Sequence, residues 1–93
     1  MPRQLVAKAA FLRAYQRLSE PDQHLVDEAL RRFKHYLEAK DAPVGLGVTH
    51  LRGHTYEFRA GLVLRIVYVA EIDQIVLSLL GTHDEVRRFL RRQ

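Results

Sequence analysis

The hydrophobic period of this chain changes at Pro43, and that change limits the possible folds more than any other feature. Before the proline, apolar residues recur every three or four positions, the mark of helices buried along one stripe. After it they recur every second position, the mark of strands with one buried face. A chain of this kind has to pack a helical half against a sheet.

Leu5-Val6 reads as a short first strand, followed by a helix with Ala7, Phe11, Tyr15 and Leu18 on one face. Ser19-Glu20-Pro21-Asp22 then ends one helix and starts another, because serine caps, proline fits a first turn and aspartate complements the helix dipole. The second helix carries Val26, Ala29, Leu30, Phe33 and Leu37 on one stripe, with Arg31, Arg32 and Lys34 off it, and Asp41-Ala42-Pro43 ends it. Two helices joined by so short a turn form an antiparallel hairpin.

In the second half, Leu46 to Leu51 reads as a strand and Arg52-Gly53-His54-Thr55 as a turn. Tyr56 and Phe58 alternate with Glu57 and Arg59, as in a half-buried strand. Ala60-Gly61 turns into the apolar run from Leu62 to Val69, interrupted only by Arg65. Glu71 to Gln74 closes a hairpin to a strand from Ile75 to Leu80, which Gly81 is expected to break. Thr82 followed three residues later by Glu85 has the form of a capping box ahead of Val86, Phe89 and Leu90. The fold class is therefore α+β, in the order β-α-α-β-β-β-α. An antiparallel sheet carries the N-terminal helical hairpin on one face, and a short C-terminal helix follows.

Length and composition narrow the rest. A chain of 93 residues, 47% apolar, makes a single domain over 1–93 with a core large enough to fold without staples. The absence of cysteine excludes disulfides, thiolate metal sites and cysteine nucleophiles. No apolar run reaches the roughly 18 residues of a membrane helix, and no signal-like apolar block follows Met1-Pro2-Arg3-Gln4. The expectation is a soluble, cytoplasmic protein. Its net charge is +4, and 12 of its 15 cations are arginine, whose planar fork suits phosphate and carboxylate. Nucleic acid and an acidic protein are the partners that such a surface favours.

Three segments then carry a resemblance: Tyr56-Glu57-Phe58-Arg59, Leu64-Arg65-Ile66-Val67-Tyr68 and Leu80-Gly81-Thr82-His83-Asp84-Glu85-Val86. In this order and spacing they resemble the RelE/ParE superfamily of toxin–antitoxin toxins. The helical hairpin with Phe11 and the Glu20-Pro21 turn is similar to the N-terminal half of that superfamily. A histidine directly after Gly-Thr is similar to the messenger-RNA-cleaving members, notably the YafQ-like and YoeB-like branches. The resemblance implies the toxin of a type II toxin–antitoxin system, an endoribonuclease that cleaves mRNA on the ribosome and is neutralised by a cognate antitoxin. It implies no metal and no small-molecule cofactor. The ParE branch shares the fold and acts by binding DNA gyrase, and an inactive RelE-fold binding protein would look the same, so the fold does not select the reaction.

Cleavage of this type needs a group to move protons and cations to stabilise charge on phosphorus. His83, at a strand-to-helix junction, is the acid/base candidate; otherwise it is a first-turn residue packed on the sheet end. Arg59 and Arg65 are the phosphate candidates. Arg65 stands out because a charge in an apolar run is costly unless paired or functional. The other readings are a salt bridge to Glu57 or Glu71, or a sheet-edge cation that discourages strand addition. Glu57 is either a general base or that partner of Arg65. His50 and His54, with Arg52 between them, are candidate RNA contacts, since YafQ-like relatives use extra histidines in this region, although the aspartate they also use has no evident counterpart here. Arg87 and Arg88, with Arg91 and Arg92, form either a solvated helix face or a basic edge for RNA or an acidic antitoxin. His24 and His35 are expected in solvent, and Tyr15, Phe33, Tyr36 and Tyr68 in the core or its rim.

Overall fold

Ser19 divides the helical half as its sequence predicts. In the computed structural model, which describes residues 3–39 and 46–92, its Oγ accepts the Asp22 backbone N–H at 3.3 Å. Helix α1 (Ala9–Arg17) stops before it and α2 (Glu20–Ala39) begins after it. The expected helix end at Asp41-Ala42-Pro43 lies outside the described residues. Two hydrogen bonds clip the hairpin: the Tyr15 hydroxyl donates to Asp27 Oδ1 at 2.7 Å, and Gln23 Nε2 donates to the Tyr15 carbonyl at 2.9 Å. Ala7, expected on the first helix, instead ends strand β1 (Gln4–Ala7), because the backbone stays extended through Lys8.

The remaining strands are β2 (Thr49–Arg52), β3 (Thr55–Ala60), β4 (Leu64–Ala70) and β5 (Gln74–Thr82), and α3 (His83–Arg91) closes the order. They form a five-stranded sheet, β1-β5-β4-β3-β2. The meander from β2 to β5 is antiparallel, as expected. Strand β1 departs from it and pairs with β5 in parallel, filling the edge that the meander leaves open.

Further boundaries differ from the sequence reading: Arg52, Thr55, Ala60 and Gln74, expected in turns, lie at the ends of strands, Arg52 closing β2, Thr55 and Ala60 bounding β3 and Gln74 opening β5. Leu46 is not in a strand; it is buried in the turn before β2, and Gly47, at φ 62°, keeps the backbone from extending until Thr49. Leu62 and Val63 belong to the turn opened by Gly61, not to β4. Gly81 does not break β5, which runs through it to Thr82 with Gly81 paired to Arg65.

Alternation decides what each face holds. Phe58 and Ala60 of β3, Ile66 and Tyr68 of β4, and Leu77 and Leu80 of β5 join Phe11, Val26, Ala29 and Phe33 of the helices in the main core. Its centre is aromatic: Phe33 stacks on Phe58 at 4.3 Å between centroids and tilts against Tyr68 at 4.6 Å. On the opposite face, Val67, Val76 and Val86 are buried outside that cluster, where α3 packs on β4 and β5. A bulge at Ser78, between the pairs Val67–Leu79 and Tyr68–Leu77, keeps both faces of β5 apolar, and the Ser78 hydroxyl donates to the Val76 carbonyl at 3.2 Å.

Candidate functional site

The α3 face of the sheet gathers the charged candidates by register. Arg59 of β3 lies directly opposite Arg65 of β4, and Arg65 lies directly opposite Gly81 of β5. Adjacent strands stand about 4.8 Å apart, so these three backbones form a row about 10 Å long. Two residues beyond Gly81, His83 opens α3 at the same end of the sheet, and its side chain is exposed. Glu57 shares the face, one pleat along β3.

Like charges directly opposite each other repel, so the Arg59–Arg65 pair calls for a nearby anion. Glu57 supplies it: its Oε2 lies 3.8 Å from Arg65 Nε, with side-chain exposures of 13% and 16%. That oxygen is buried and accepts no hydrogen bond, so the contact is loose. Arg65 Nη1 also makes long hydrogen bonds, 3.4 Å each, to the carbonyls of Leu62 and Leu64. Arg59 is exposed, with its stem across Gly47, where a Cβ would stand 3.2 Å from Arg59 Cδ. Two guanidiniums and one carboxylate leave one positive charge, which matches a single phosphodiester.

A local device fixes the start of α3. The Thr82 hydroxyl accepts the Glu85 N–H at 3.3 Å, and Glu85 Oε1 accepts the Thr82 N–H at 2.9 Å, the reciprocal box that the sequence predicts. Glu85 folds back over Gly81, where a Cβ would meet it at 3.1 Å. The sequence reading missed Gly81 as a requirement for placing His83. Its signal was a glycine inside a β-rich run, which often marks close approach rather than a break.

Other candidates are not part of this row. His50 faces the opposite side of the sheet: it is opposite Tyr56, 5.0 Å between rings, and Tyr56 stacks on Tyr68 at 5.4 Å. Its Nε2 bonds the Gly53 carbonyl at 2.7 Å. His54 precedes Thr55 at the far end of β3, about 17 Å along the strand from Arg59. Arg52 does reach the α3 face, where Nη1 donates to the Leu90 carbonyl at 3.4 Å and meets the negative end of the helix dipole. Arg87 and Arg88 are exposed on α3, and Arg88 lines a cavity of about 270 Å³ with Leu79, Glu85 and Phe89. His24 and His35 are exposed on α2.

Burial pushes the Tyr68 hydroxyl far above the ordinary tyrosine range, with Tyr36 and Tyr56 adding to the effect, so it stays protonated. The hydrogen bond to Asp27 raises Tyr15 in the same direction. Neither phenol suits proton transfer near neutral pH. Among the described residues no group of three or more histidine, aspartate or glutamate side chains could hold a metal, and no helix is long and apolar enough to cross a membrane. Arg32, absent from the sequence reading of the site, shares with Arg59 a groove of about 300 Å³ between α2 and the sheet.

No protein-family model and no curated protein matches the chain. Solved structures do. A copper-bound mutant toxin from Helicobacter pylori is 22% identical, with a TM-score of 0.65 over 90% of this chain and 98% of that one. The archaeal RelE–RelB complex from Pyrococcus horikoshii gives 21% identity and a TM-score of 0.66, over 88% and 96%. The DinJ–YafQ complex from E. coli gives 13% and 0.64, over 90% and 97%. The likeness runs through the five-stranded sheet, the two N-terminal helices and the C-terminal helix, and this chain has the fold of the RelE and YafQ toxins.

Proposed function

We propose that the chain is the toxin of a type II toxin–antitoxin pair and that it cleaves mRNA on the ribosome without a metal. The observation that carries this reading is the Arg59–Arg65–Gly81 row ending beside a capped His83. In the reaction, a ribose 2′-hydroxyl gives up its proton and attacks the adjacent phosphorus. The bond to the 5′-oxygen breaks, and that oxygen takes a proton, leaving a 2′,3′-cyclic phosphate and a 5′-hydroxyl. His83 serves as the acid/base group, and Arg59 and Arg65 stabilise the charge on the phosphoryl oxygens. Glu57, half-buried beside Arg65, holds that guanidinium in place rather than meeting substrate. So small a domain presents little surface of its own to hold RNA, so the ribosome contributes positioning.

The antitoxin reading has support from the neighbours, since the P. horikoshii RelE structure is a complex with RelB and the E. coli YafQ structure a complex with DinJ. An acidic segment over Arg59 and Arg65 would neutralise their charge and block substrate together. Induction of the chain in cells tests the activity. Protein synthesis should stop before DNA replication, with mRNA cuts inside translated codons. Intact mRNA with early DNA breaks and trapped gyrase would transfer the assignment to gyrase inhibition.

A further inference from the structure

Arg59 and Arg65 lie directly opposite each other, and two such cations need to be held apart. Glu57 lies against Arg65, whereas backbone lies against Arg59. On the side of β3 away from β4, the Arg59 N–H donates to the Leu46 carbonyl at 2.8 Å. Leu46 is buried in the main core, so the chain has to turn sharply to leave it and enter β2. The turn falls on Gly47, at φ +62°, a backbone shape that glycine adopts without steric cost. Thr49 Oγ1 clips it by donating to the Gly47 carbonyl at 3.3 Å.

The same glycine leaves a notch. A Cβ there would stand 3.2 Å from both Cδ and Nε of Arg59 and 3.4 Å from its Cγ, so the arginine stem lies flat across Gly47. Gly47 and Arg65 flank Arg59 from opposite sides, and a stem that lies across Gly47 leans away from Arg65. Arg59 accordingly borders the groove that Gly61 and Arg32 also line.

We propose that Gly47 is a positioning residue for the phosphate row, an inference that rests on the nuclease reading above. Its missing side chain seats the Arg59 stem so that the two guanidiniums stand apart, with room for one phosphate between them. A Cβ at this position lifts the stem by a few tenths of an ångström. A cation already in place needs no rearrangement as charge develops on phosphorus, so loosening the seat slows the chemical step.

Gly53 supplies the control. It has nearly the same backbone, φ +54°, but a Cβ there meets nothing within 4 Å. Gly47→Ala and Gly53→Ala thus carry similar backbone strain, and only the first touches Arg59. Both should lower the melting temperature by a similar amount, roughly 4–8 °C. Single-turnover mRNA cleavage should fall about tenfold in Gly47→Ala and stay at the parental rate in Gly53→Ala. In an Arg59→Ala background, Gly47→Ala should bring no further loss, because the stem it displaces is gone. If Gly47→Ala does not fold, Gly47→Asn carries the same Cβ on a residue that tolerates this backbone.

The Arg59 Nε–H signal in NMR reads the seat without any cleavage. Its heteronuclear NOE should report an ordered side chain in the parent and in Gly53→Ala, and fall in Gly47→Ala. Equal cleavage by the two glycine variants would overturn the inference, as would equal losses from Gly47→Ala with and without Arg59. So would an Arg59 signal as mobile in the parent as in Gly47→Ala. A parent that cuts no mRNA yet shows the ordered signal loses the nuclease reading and retains Gly47 as the seat of Arg59.

Discussion

The two faces of the sheet are made from alternate residues of the same strands, and they serve different ends. Phe58 is fully buried against Phe33, while its neighbour Arg59 is exposed. Tyr68 lies in the same aromatic cluster, whereas Arg65, three residues earlier, lies beside Glu57 on the other side. The hairpin face is continuous, aromatic and closed. The α3 face has a small valine core next to loosely paired charges and an exposed histidine. Period-two alternation thus separates the packed core from the exposed charges within one strand, and substitutions on the two faces should fail in different ways.

The largest expected effect on stability lies at the hairpin face. Phe33→Ala removes the ring that joins Phe58, Tyr68 and Tyr36 and should cost about 3–5 kcal/mol in urea unfolding. A loss below about 1 kcal/mol would mean that this face is not the core. On the other face, Thr82→Ala removes a helix cap and should cost about 1 kcal/mol, with amide exchange rising in the first turn of α3 and little change in α2. Even loosening of both helices would deny that the faces act separately.

The smallest effect depends on pH. The Tyr68 hydroxyl has its pKa raised by burial, so the folded chain keeps a proton that the unfolded chain releases near pH 10. Its contribution is complete below that pH and is lost as pH rises beyond it. Thermal melts from neutral to alkaline pH should therefore decline above about pH 10 in the parent and decline less in Tyr68→Phe. Identical alkaline slopes would remove Tyr68 as the cause.

How much of this was legible in the sequence follows from where periodicity holds. The α2 stripe, the Ser19 cap and the Thr82–Glu85 box are local patterns, and the structure carries each of them. Counting in twos also put Glu57 and Arg59 on one face correctly, because β3 is regular between Tyr56 and Ala60. Such counting does not extend to β2, where the register shifts between His50 and Arg52 and sends them to opposite faces. Counting alone would have kept the two together. The parallel pairing of β1 was hidden because it depends on an edge created about 70 residues later. Leu62 and Val63 were absorbed into the strand since an apolar turn and an apolar strand look alike in sequence. That ambiguity concealed an exposed apolar turn between β3 and β4.

On the proposed function, His83 does chemistry on a face that the core does not need. Single-turnover cleavage of ribosome-bound mRNA by His83→Gln, with a thermal melt of the same sample, tests it most directly. The rate should fall roughly 10²–10⁴-fold below the parent with an unchanged melting temperature, because the side chain is exposed at the helix start. A folded His83→Gln protein that cleaves at the parental rate would contradict it.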